Sequence, residues 1–157
     1  ELVRAIVRKH NQEIEKVRLR MVAEVCGSEE VRDWLGCLIR PLTEYLADLG
    51  SPTWFARFSA QIMTDPTLRT VVAEETVAAP SLRQALDGLE HCLPDLPEEV
   101  RSERKAMARE LMLHMCAERE RALAEDTPTP RANWYDAATG LIDALLGLWL
   151  APVTTEP

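Results

Sequence analysis

Apolar side chains recur three and four positions apart along most of this 157-residue chain, and nowhere do they alternate convincingly in the two-residue period of a half-buried strand. That periodicity admits helices and excludes a sheet, so the chain reads as all-α. Val3, Val7, His10, Ile14, Val17, Met21 and Val25 form one stripe over residues 1–25, flanked by charges. Over 29–49 the apolar set from Val31 to Leu49 spreads around more than half the circumference, which predicts a helix at the centre of the fold. Shorter helices are expected at 52–64, 66–75 and 81–92, a long one over 98–125, and a strongly apolar one over 131–151. The result is about seven helices in a single domain, 1–151, followed by a loose tail at 152–157.

The punctuation between the stripes agrees with this division. Gly27 closes the first helix and Ser28 is placed to cap the second, with Glu29 and Glu30 set favourably against its dipole. Gly50 closes the second helix. The pairs Ser51-Pro52, Asp65-Pro66 and Thr129-Pro130 each put a residue suited to capping before a proline, whose missing N–H does no harm in a first turn. Pro41 falls inside the second helix, where it removes a backbone donor and predicts a kink. The first helix has no capping signal at its start, so the chain is expected to begin inside a helix already under way.

Charge narrows the partners. The formal net charge is −8, which opposes broad contact with a phosphate backbone. Residues 1–25 carry six Lys or Arg against four Glu, so the rest of the chain bears −10 and only the first helix leans basic. The cysteines at 26, 37, 92 and 116 form no CxxC pair, in keeping with reduced thiols. The most apolar stretch, Ala137 to Val153, is broken by Asp143 and is shorter than a bilayer requires. No membrane association is expected, and a cytoplasmic location is.

Catalytic chemistry finds no anchor. The nearest metal-ligand spacing is His114 with Glu110 or Glu118, one histidine on a charged helix, and no nucleophile elbow or phosphate loop occurs. No catalytic residue, metal or cofactor is assigned. Binding has better material: Trp34, Tyr45, Trp54, Phe55 and Phe58 gather most of the aromatic side chains into two adjacent helices beside Pro41, with Met63 nearby. Core packing explains each singly, whereas their clustering points to an apolar pocket, completed by Leu38 and by Leu111 and Met115 of the long helix. His10 interrupts an apolar stripe and is either a buried, hydrogen-bonded imidazole or a polar contact for a ligand. On the terminal helix Trp134, Ala138, Leu141, Leu145, Leu148 and Trp149, with Met107 of the long helix, are candidates for an interface with a second copy.

The opening Glu-Leu-Val-Arg-Ala-Ile-Val-Arg-Lys-His resembles the start of the fourth helix of TetR-type transcriptional regulators, immediately after their helix-turn-helix. The blocks Trp34 to Leu49, Ser51 to Phe58 and Met63 to Arg69 are similar to the effector-binding domain of that family. The resemblance implies an all-α C-terminal domain whose two last long helices, mapped onto 98–125 and 131–151, form a four-helix bundle in a homodimer. It also implies a mostly apolar pocket for a small-molecule effector, and a role as a repressor rather than an enzyme. Operator DNA would be contacted only through an N-terminal domain absent from this chain, to which the helix at 1–26 would lead. From the residues alone two other readings stay open: a stand-alone helical enzyme or carrier of small hydrophobic molecules, and a structural helical dimer with a filled core.

Overall fold

A computed structural model of the chain describes residues 1–155. Among these residues the regular structure is entirely α-helical: α1 (Leu2–Glu24), α2 (Val31–Leu49), α3 (Phe55–Ile62), α4 (Pro66–Val77), α5 (Pro80–Cys92), α6 (Glu98–Ala124) and α7 (Trp134–Leu150). The wide apolar circumference of α2 is matched by its surroundings, for it packs on α1, α5 and α7. Helix α6 lies along α3 and touches α7, and α4 rests on α1. Leu35, Leu46, Ile142 and Leu145 are fully buried, each stabilising the fold by about 1.5–3 kcal/mol through removal of apolar surface from water.

Two of the three proline pairs do not start helices. Asp65 behaves as expected: its Oδ1 accepts from the amides of Thr67 and Leu68 with Pro66 in the first turn. Helix α3, however, begins at Phe55 rather than Pro52, and α7 begins at Trp134 rather than near Pro130. A proline's fixed φ suits a turn as well as a first helical position, and better caps lie further on. Asn133 Oδ1 accepts from the amide of Asp136. Ser28 likewise stands outside the second helix, its Oγ accepting from Glu30 N and donating to Asp33.

The cap of α3 comes from elsewhere in the chain. Glu120 of α6, 1% exposed, accepts from the amides of Ala56 and Arg57 at 3.0 Å each and from Thr53 Oγ1 at 2.6 Å. Glu15 of α1 serves α5 in the same way, accepting from Ser81 N at 2.9 Å and Ser81 Oγ at 2.5 Å. Each carboxylate meets the orphan donors and the positive end of a helix dipole, so the long helices hold the beginnings of two shorter ones.

Helix α2 runs unbroken through Pro41. A proline has no N–H to give the carbonyl four residues back, which leaves the Cys37 oxygen free. Arg18 Nε of α1 donates to it at 3.3 Å. At the other end of the chain, Arg104 donates to Trp149 O at 2.8 Å and Ala151 O at 2.7 Å, closing α7. Of the tail expected to be loose, residues 152–155 carry no regular structure, although Val153 packs on the core; 156–157 lie outside the described residues.

Candidate ligand cavity

Helix α5 packs on α1, α2 and α4, and between this group and α6 the chain forms a partly open cavity of about 420 Å³. Val7 and Ile14 of α1, Leu38 and Leu42 of α2, and Phe55 and Met63 around α3 form much of its wall. Leu82 and Leu86 of α5 face Ala108 and Met112 of α6 across it, and Leu145 and Trp149 of α7 contribute to its wall as well. The volume lies within the span of roughly 300–1,000 Å³ that small-molecule sites occupy.

The polar part of the wall is small and one-signed. Asn11, Arg18, Ser59, Thr76, Lys105 and Arg109 line the cavity, and among the described residues no carboxylate does. Ser59 Oγ and Thr76 Oγ1 are turned back onto the carbonyls of Phe55 and Val72, at 2.8 and 2.7 Å. Lys105 pairs with Glu90. Arg18 is 9% exposed, and beyond its bond to Cys37 O it reaches Glu15 through Nη1 at 3.3 Å. Burial lowers its pKa, the nearby Glu15 opposing that shift.

Of the aromatic and sulfur-bearing residues expected to line a pocket, Phe55 and Met63 do so, together with Leu38. Four more rings, His10, Tyr45, Trp54 and Phe58, cluster about Phe55. His10 stacks on Phe55 with centroids 4.0 Å apart, shares a 2.5 Å hydrogen bond with Tyr45, and meets Trp54 edge-on at 5.7 Å; Trp54 in turn meets Phe58. This cluster braces α1, α2 and α3 together. Burial, and secondarily Lys9, holds the pKa of His10 below its ordinary value, so the neutral imidazole is favoured. Trp34 is buried against α5 and donates through Nε1 to Ser28 O, Leu111 is half-buried against the main core, and Met115 is 52% exposed. The described wall is mostly aliphatic, with Phe55 and Trp149 its two rings: helical spacing groups rings by face and cannot say which neighbour that face meets.

Much of the stripe expected at an interface is covered within the chain itself. Ala138, Leu141, Leu145 and Trp149 are buried within the chain's own core, because the broad apolar surface of α2 claims that side of α7. Trp134 and Leu148 are half-buried, the guanidinium of Arg119 lying 5.1 Å over the Trp134 ring, and Met107 is exposed. The opposite side of α7, with Gly140, Ala144, Gly147 and Leu150, is left largely open.

Sequence reasoning passed over the cavity's polar residues, treating Arg18 as a charge beside a stripe. The available signal was Pro41, whose missing donor frees the carbonyl that Arg18 takes. Elsewhere the arrangement offers little for covalent chemistry: burial pushes the thiols of Cys37 and Cys116 up to about 11 and about 12, where they stay protonated at neutral pH. Among the described residues no three His, Cys, Asp or Glu side chains are grouped to hold a metal ion, and no helix is long and apolar enough to cross a membrane.

A family model described as "Tetracyclin repressor-like, C-terminal domain" matches residues 36–147, from within α2 to within α7 and well over half of the chain. No curated protein and no solved structure gives a significant match.

Proposed function

Because the chain belongs to the family of tetracycline repressor-like C-terminal domains, we propose that it is the effector-binding and dimerising part of a transcriptional repressor. The cavity carries this reading: a small apolar molecule would lie between α1, α2, α3, α5 and α6, which together supply most of its lining. Helix α1 contributes Val7, Asn11, Ile14 and Arg18 to that lining, so a ligand touching them shifts the preferred pose of α1 by as much as its affinity differs between poses. A DNA-reading domain leading into α1 would move with it, changing the spacing of two recognition helices across a dimer. The proposed place of action is the cytoplasm.

The first test is entry of a neutral apolar probe. N-phenylnaphthylamine should brighten on binding the chain, and Ala108→Phe, which fills the cavity from the α6 wall, should abolish the signal while leaving the helical circular dichroism intact. Unchanged probe binding in that variant would remove the cavity from consideration. In the full-length repressor, a cavity ligand should lower operator affinity.

A further inference from the structure

Arg18 is the most deeply buried cation of the cavity wall, and its three nitrogens are unequally employed. Nε is held by the Cys37 carbonyl that Pro41 leaves free, and Nη1 by Glu15. Nη2 has no protein partner among the described residues, and it is not sealed off, since the one sealed side-chain polar atom without a partner is Arg119 Nε. The residue is only 9% exposed and lines the cavity, which makes the cavity the space we assign to Nη2. Its neighbour Glu15 is divided between Arg18 and the start of α5 at Ser81, so it does not fully occupy the guanidinium.

We propose that the effector is an apolar monocarboxylate whose carboxylate accepts from Arg18 Nη2, with its hydrocarbon part against the aliphatic walls. This rests on the reading of the cavity as the effector site and names the class of molecule it takes. A charge-assisted hydrogen bond is stronger than one to a neutral acceptor, and the apolar wall around Arg18 strengthens it further. Among the described residues no carboxylate lines the cavity, and the one beside Arg18, Glu15, is engaged by Arg18 Nη1 and Ser81. Lys105 and Arg109 add positive potential from α6, though both are about half exposed and Lys105 is already paired.

Decanoate and its methyl ester, competed against bound N-phenylnaphthylamine on the 157-residue chain, separate the possibilities. Decanoate should displace the probe at about tenfold or more lower concentration than the ester. In Arg18→Met that preference should vanish, while the ester's own affinity stays within about twofold. In Arg109→Gln, which removes the less buried cation of the α6 wall, it should persist. Equal affinity of acid and ester for the unaltered chain overturns the proposal even if Arg18→Met fails to fold, and loss of the preference in Arg109→Gln places the carboxylate elsewhere and overturns it too. A probe that never enters the cavity defeats the underlying effector reading as well; a probe that enters and is displaced equally by acid and ester defeats only the carboxylate.

Discussion

Gly88 shows how one missing side chain locates a helix. A Cβ at this position would stand 2.4–2.5 Å from three atoms of the Trp34 ring, closer than real atoms approach, so α5 can lie against α2 only because the residue is glycine. Gly88→Ala removes a residue costly in a helix interior, a gain of about 1 kcal/mol. It also forces a bulky ring out of a close-packed core, at about 1–3 kcal/mol or more. The clash should win, lowering the thermal midpoint by several degrees; a midpoint equal to or above that of the unaltered chain would show that Trp34 moves at little cost. Neither this pairing nor the role of Arg18 follows from local pattern. A helical stripe identifies which side of α2 is apolar, yet the depth at which a charged residue such as Arg18 sits depends on how α2 packs back onto α1. His10 was legible as an anomaly within its stripe, and only the packed neighbours Tyr45 and Phe55 show what it touches.

At the scale of elements, periodicity located the long helices closely because their many turns average over single exceptions, and it misplaced the starts of α3 and α7, where one proline carried the decision. The connection between α1 and α4 was not legible at all. Arg4 reaches Glu74 at 2.7 Å and Glu75 at 2.9 Å, and Arg8 holds Glu75 through two nitrogens at 2.9 and 3.0 Å. Hydrogen bonds from Arg8 and then Arg4 bring the Glu75 carboxyl down to about 2. Since its pKa is depressed on folding, the contribution of Glu75 is complete above the ordinary carboxyl range near 4.5 and is lost as the pH falls from there through about 2. Arg8 and Glu74 are exposed and cover the more shielded Glu75 and Arg4, so salt should weaken the clamp as well. Amide exchange over the first two turns of α1 should quicken between low salt and about 1 M salt, and Glu75→Gln should reduce that sensitivity. Exchange that ignores both changes would mean that apolar contacts alone seat this end of α1.

For the molecule as a whole, the open side of α7 and the exposed Met107 and Met115 of α6 are the surface on which a second copy is proposed to dock. Two neighbouring substitutions distinguish this face from the core. Ala144→Glu adds charge to the open side and should convert a dimer to a folded monomer, with light scattering halving the mass and circular dichroism unchanged. Leu145→Asp places a carboxylate where the side chain is 1% exposed and should unfold the chain instead. A folded, dimeric Ala144→Glu protein would put the interface elsewhere. The carboxylates of Glu15 and Glu120 carry a further consequence for how such a molecule assembles. The first amides of α3 and α5 find their partners 63 to 66 positions away along the chain, so neither helix is capped until those distant segments have met. The entropy of closing such long loops therefore bears on α3 and α5, two of the helices that line the cavity.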